Sequence, residues 1–253
     1  MTTAAGLSSA RRHRAASSSR VTGLIGLASF LAIALAALLQ PHLWSAPGTG
    51  AQPARLAAYA QEHRGRQAAA LYIYSLGMGL FLCFGVGMWT VLRRGAPDMQ
   101  ATAAAFAFGA VALVVLVLCA FAPAAVFGYR AHDPAIAQLL WDLTFGLLAL
   151  SGIPTALCLG AYAVLVLRSR CLPAWTAWLA VLGAGAHLLI AASFLGHGGT
   201  LSPEGSVIVW VPGIFFAWIL AAGLVLLRGD GVPLGGAAGA TPASPAAARG
   251  LSL

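Results

Sequence analysis

The sequence predicts an all-α fold, a polytopic transmembrane bundle of six helices. Three observations carry that expectation. Mean hydropathy is +0.88, with 60% hydrophobic residues against 8% charged ones, too little charge to cover a water-facing surface. Six apolar runs, near 21–40, 68–92, 101–126, 137–167, 173–195 and 206–227, are each long enough for a hydrocarbon core of ~30 Å at ~1.5 Å per residue. The 14 basic residues, all arginine, cluster at the ends of those runs. Backbone groups in hydrocarbon must be satisfied within their own segment, so each run is helical.

The elements follow in order. Residues 1–20 form a basic amino-terminal tail, 21–228 the six-helix domain, and 229–253 a carboxyl tail reading "GDGVPLGGAAGATPASPAAARGLSL". Neither tail has the apolar periodicity to fold, so both are expected to be disordered. Span one follows basic residues as a signal peptide would. Cleavage after "LWSA", however, would leave Pro47 beside the cut, and "RRHRAASSS" lacks the apolar residues that follow a twin-arginine pair; span one reads as a retained anchor. In the long loop that follows, "PARLAAYAQEHRGR" places Leu56, Tyr59, Ala60 and His63 on one helical face and Arg55, Gln61, Glu62 and Arg66 on the other. That pattern predicts a short amphipathic outer helix lying on the membrane surface before span two, with a solvated spacer as the plainer alternative. Pro123, Pro154 and Pro212 fall within spans and read as packing bends. No motif relates the two halves of the chain, as inverted repeats would. Trp44, Trp89, Trp141, Trp175, Trp178 and Trp210 lie near the predicted interfaces, as belt anchors do.

Positive charge orients the bundle. Ten arginines (11, 12, 14, 20, 93, 94, 168, 170, 228 and 249) fall on one side, and four, Arg55, Arg64, Arg66 and Arg130, on the other. The richer side is expected to be cytoplasmic, with both termini there, in a bacterial cell membrane. Scattered in this way, the arginines make no nucleic-acid-binding face.

The polar residues inside the spans are the candidate functional residues. Asp142 is the one charged residue in the run from Ala135 to Leu167, about 12 Å past Pro134 along a helix. Counting by three and four gives Asp142, Gly146, Ala149, Ile153, Ala156 and Gly160, a stripe of mostly small residues that predicts a helix contact. Arg64, Arg66, Arg130 and His197 are candidate partners for the acid. A structural pairing is weighed against a role in proton, ion or ligand handling. His187 shares a face with Ala180, Gly183, Ala184 and Ala191; Tyr72, Tyr74, Ser75 or Thr144 could satisfy its imidazole, and a packing role is the plain reading. Bis-histidine haem ligation needs two core histidines on facing helices. His187 is the one core histidine, and pairing it with Met78 or Met88 needs further assumptions. A candidate outer-face polar cluster comprises Glu62, His63, Arg64, Arg130 and His197, with His132, Asp133 and Glu204 near it. It lacks the HxxxH or HExxH spacing of a metal site, and no metal or other cofactor is expected. Cys83, Cys119, Cys158 and Cys171 form no CxxC pair and imply neither a disulfide framework nor redox chemistry. There is no GxSxG motif and no paired acid within a span, so no catalytic residue is named.

The stretch "LAAYAQEHRGRQAAALYIYSLGMGLFLCFGVGMWTVLRR" resembles the second-span region of uncharacterised six-span membrane proteins common in actinobacteria, a domain-of-unknown-function family in which a "Y…HRGR" helix precedes span two and an arginine pair closes it. "WDLTFGLLALSGIPTALCLGAYAVLVLRSRCLPAWTAWLAVLGA", with its "LP.W" opening span five, is similar to the same group. The resemblance covers residues 20–228 and implies a membrane location and a six-helix fold, with no reaction attached.

Three functions follow as expectations. The first is a non-enzymatic integral membrane protein, an accessory or partner subunit, whose partners are the lipid bilayer and a second copy of the chain or another membrane protein. The second is a small proton-coupled transporter or permease using Asp142 and His187. The third is an outer-face membrane enzyme or metal site. The arginine asymmetry predicts that a reporter fluorescent only in the cytoplasm will light up when fused to either end of the chain; a dark fusion at one end contradicts the topology.

Overall fold

The computed structural model describes residues 4–40, 47, 51–130, 132–196 and 206–229. It is helical throughout: α1 (Ala4–Leu39), α2 (Pro53–Gly95), α3 (Gln100–Arg130), α4 (Pro134–Leu150), α5 (Gly152–Ser169), α6 (Ala174–Ala191), α7 (Ser206–Trp210) and α8 (Pro212–Arg228), with 3-10 turns at Pro97–Met99 and Ala192–Leu195. Among the described residues, six stretches are long and apolar enough to cross a membrane: Ser17–Leu39, Pro53–Gly95, Pro97–Arg130, Pro134–Ser169, Ala174–Leu195 and Val207–Arg228. Their outward faces carry bare apolar side chains, among them Leu31, Phe108, Leu139, Leu182 and Leu189, each more than half exposed. Such a surface belongs in lipid.

The spans close into a ring. α1 packs on α2 and α8, α2 on α3, α3 on α4 and α5, α5 on α6, and α6 on α8. Lipid tails are as apolar as leucine, so helices in a bilayer associate through close packing and hydrogen bonds. Two contacts show how close. A Cβ on Gly23 would lie 2.7 Å from the Gly223 carbonyl oxygen and 2.8 Å from the Leu227 nitrogen, so α1 and α8 touch backbone to backbone. A Cβ on Gly152 would lie 3.0 Å from the Ala191 nitrogen and closer still to the His187 carbonyl oxygen, which locks α5 to α6. Between α1 and α2, the Ser29 hydroxyl donates to the Gly77 carbonyl at 2.9 Å.

From mid-bundle toward the arginine-rich end, the ring is filled by aromatics. Trp218 meets Tyr162 edge-on at 5.0 Å and stacks near Phe215 at 5.9 Å, and Phe81 meets Phe215 at 5.1 Å. Thr176 donates its hydroxyl hydrogen to the Pro173 carbonyl at 2.8 Å. Its oxygen is then left to accept from Tyr162 Oη, also at 2.8 Å, so the buried phenol is satisfied. Cys171, in the turn after α5, is buried against Gly95. That burial pushes its thiol above the ordinary range, and a hydrogen bond to Ser169 pulls the other way. The turn closes on Arg170 in the left-handed region (φ 53°), its N–H on the Val166 carbonyl at 2.8 Å.

Three expectations change. Helix α1 starts at Ala4, so the described part of the expected amino-terminal tail continues the helix, as a stretch with strong helix formers Ala and Arg allows. The expected surface helix before span two is instead the first turns of α2, uninterrupted from Pro53 to Gly95. Nothing between Arg66 and Leu71 breaks it. Its apolar stripe (Leu56, Tyr59, Ala60) is buried against Phe127, Ala137 and Trp141 rather than lipid. Span four, expected as one helix, is interrupted at Ser151. Pro154 has no N–H to return to the preceding turn. The Ser151 hydroxyl donates to Leu148 O at 2.6 Å and that of Thr155 to Ser151 O at 2.7 Å, so both hydroxyls are tied back to the backbone beside the break. Trp44 and residues 230–253 of the carboxyl tail lie outside the described residues.

Replacing Gly23 or Gly152 with leucine is expected to lower stability in detergent by about 1–3 kcal/mol each through overpacking. Gly185→Ala, where a Cβ meets nothing within 4 Å, should be neutral or stabilising by up to about 1 kcal/mol. Thermal melting monitored by size-exclusion chromatography compares them.

Candidate functional site

Toward the end of the bundle that carries Arg64 and Arg130, the ring opens around a cavity of about 270 Å³. Every span supplies a wall. Ala37 and Gln40 come from the end of α1, Tyr74 and Met78 from α2, and Leu113, Val117 and Phe121 from α3. Phe145, Leu148, Ser151 and Thr155 come from the broken span four, and His187 and Ile190 from α6. The rest comes from Ile208 to Trp210 and from Pro212, Gly213, Phe215 and Phe216, on either side of the α7–α8 junction. Both proline-associated helix breaks, at Ser151 and at Val211, therefore face the same space. Most of the wall is apolar; the imidazole of His187 and the phenol of Tyr74 are its most polar features away from the mouth.

His187 is 5% exposed. Its Nδ1 lies 2.8 Å from the Gly183 carbonyl oxygen, one turn back on α6, and its ring meets Phe215 edge-on at 5.8 Å. The small-residue face expected around it holds, with Ala180 and Gly183 buried. The expected cross-helix partners for His187 take other roles. Ser75 donates to Leu71 O and Thr144 to Leu140 O, each within its own helix. Tyr72 is 68% exposed. Tyr74 shares the cavity with His187, its ring edge-on to Phe121 at 4.9 Å.

Asp142 is elsewhere. It is exposed on the outside of α4 and is not part of the cavity wall, which corrects the expectation that it is packed in a helix contact, although the acid is not without a partner. The face of α4 that turns inward is Ala137, Trp141, Thr144, Phe145 and Ala149. This bulky stripe takes the interior through aromatic packing contacts; of the small stripe, Ala149 and Ala156 are also buried. Ile153, on the expected small stripe, is 57% exposed. Trp141, expected as a belt anchor, is instead buried: it packs 5.1 Å from Phe127 and 4.9 Å from Phe145, with Tyr59 at 6.1 Å. Trp175, Trp178 and Trp210 are exposed, as anchors would be.

The described members of the expected outer-face cluster, and the residues near it, take separate positions. His63 stacks on Tyr59 at 4.6 Å, and its Nδ1 lies 3.9 Å from a Glu62 carboxylate that is mostly exposed. Arg64 lies over the Tyr129 ring at 4.8 Å. Gln61 and His132 meet at 3.4 Å. Arg130 is exposed, and Asp133 caps α4 by accepting from the Ala135 N–H at 2.9 Å. His197 and Glu204 lie outside the described residues. Among the described residues, no three His, Cys, Asp or Glu side chains converge as metal ligands would.

Sequence reasoning found His187 but missed the cavity. The available signal was Pro154 with Ser151 and Thr155 beside it, and Pro212 opening the last span: two breaks at similar depth in different spans. Compared with family models, with curated proteins and with solved structures, the chain matches none.

Trp141→Ala is expected to cost about 3–5 kcal/mol of stability, whereas Trp178→Ala, at a position 62% exposed, should change it by less than about 1 kcal/mol in detergent. Similar melting shifts for the two variants would contradict the burial described.

Proposed function

We propose that this chain is a non-enzymatic integral membrane protein that holds an amphipathic molecule in the cavity between its six spans. The observation that carries the reading is the cavity itself: about 270 Å³, walled by apolar side chains from every span, with one buried imidazole. Small-molecule sites of roughly 300 Å³ and above are built this way, largely apolar with a few placed polar groups. Membership of the six-span actinobacterial group that the second and fourth spans resemble belongs to the same proposal. So does the accessory role, in which the ligand passes to or from a second copy or another membrane protein.

In sequence, ten of the 14 arginines belong to the termini and the connections on the side opposite the cavity, which supports placing that side and both termini in the cytoplasm of a bacterial cell. The cavity then lies in the outer-leaflet half of the bilayer, where an amphipath of that leaflet can reach it. The transporter reading loses its main support, since the cavity that His187 lines does not include Asp142. The metal-site reading loses its own, since its groups do not converge among the described residues.

Gly213 borders the cavity, and a Cβ there meets nothing within 4 Å. A tryptophan at that position can therefore fill the mouth without displacing backbone. Lipid extraction and mass spectrometry of the gently purified protein should find one class of amphipath at near-stoichiometric amounts. In Gly213→Trp that amount should fall about tenfold, equivalent to about 1.4 kcal/mol of affinity. Equal lipid profiles from the two proteins would overturn the proposal.

A further inference from the structure

Two side chains specify the polar end of the ligand, given the cavity reading above. The Gly183 carbonyl beside His187 Nδ1 can only accept, so Nδ1 carries the proton of the ring. The walls around the imidazole are apolar, and among the described residues it makes no ion pair; a ring in such a place is neutral. A neutral imidazole protonated at Nδ1 has a bare lone pair at Nε2. That nitrogen has no hydrogen-bond partner among the described residues, on a side chain that is 5% exposed. It is an acceptor waiting for a donor.

The hydroxyls nearby do not supply one. Ser151 and Thr155 spend their hydrogens on Leu148 O and Ser151 O at 2.6 and 2.7 Å. The Tyr74 hydroxyl, also on the wall, makes no hydrogen bond among the described residues, and its ring is held in place by Phe121 and Phe216. A phenol can donate as well as accept. The cavity therefore presents one strict acceptor, His187 Nε2, and one group of either polarity, Tyr74 Oη.

The geometry points to a ligand whose polar end is a free hydroxyl: a long-chain alcohol, or a lipid with an unesterified hydroxyl at its head. The hydroxyl donates to His187 Nε2, and its oxygen can accept from Tyr74. The apolar body lies among Leu113, Val117, Phe121 and Phe215. An ether, ester or ketone oxygen at the same place would set its lone pairs against that of Nε2, leaving a buried acceptor unsatisfied.

The test compares 1-dodecanol with 1-methoxydodecane, which differ in the donor hydrogen. Saturable binding of each to the full chain in phosphatidylcholine nanodiscs is measured above partition into empty nanodiscs. The alcohol is expected to bind about tenfold tighter. His187→Phe is expected to reduce alcohol binding to the level of the ether while ether binding persists, and this persistence shows that the variant is folded. If wild type binds the two probes equally, the hydroxyl assignment is overturned and the cavity reading stands. If neither probe binds saturably, the cavity reading itself fails. Should His187→Phe not fold, the wild-type ratio alone decides.

Discussion

Close approach of helix backbones is the interaction on which this structure depends. In hydrocarbon the hydrophobic effect does not draw helices together, so cohesion comes from packing contacts that can form only where side chains are small. Gly23 against Gly223 joins the first span to the last and closes the ring. Gly152 against the backbone of His187 and Ala191 joins span four to span five. Between them, from mid-bundle toward the arginine-rich end, Phe81, Phe84, Tyr162 and Trp218 fill the interior completely enough to be buried. That half of the bundle is a packed core with its one buried phenol satisfied.

The other half is built differently. Pro154 and Pro212 each interrupt a span, and both interruptions border the cavity. Proline is tolerated in membrane helices, and here the Ser151 and Thr155 hydroxyls are tied back to the backbone beside the break. The helices separate there, and the described residues leave a cavity of about 270 Å³ between them. An empty apolar void among packed helices forfeits dispersion contacts on every side, so a molecule that fits it gains them. The same Gly152 contact that fixes α5 against α6 also fixes the height of His187, and hence where the polar end of that molecule rests.

The six crossings were legible from hydropathy, because lipid imposes length and composition with little latitude. The stripe Leu56, Tyr59, Ala60 and His63 was legible as well, but not what covers it: periodicity shows that a face is apolar, and only packing decides between lipid and a neighbouring helix. Asp142 shows the reverse error. Counting by three and four found a small-residue stripe through it, while a competing aromatic stripe through Trp141 and Phe145 took the interior. The cavity lay beyond sequence reading because it is a property of six helices at once. Its markers, two prolines far apart in the chain, carry no sign that they meet at one depth.

The account centres on a bundle packed at one end and spread around a ligand at the other. A crystal structure of the chain grown from a lipidic phase tests it most directly. Elongated density between α3, α6 and α8, with its polar end within hydrogen-bond distance of His187 Nε2, is the expected result. A cavity closed by protein side chains, with His187 paired to another helix, would contradict it.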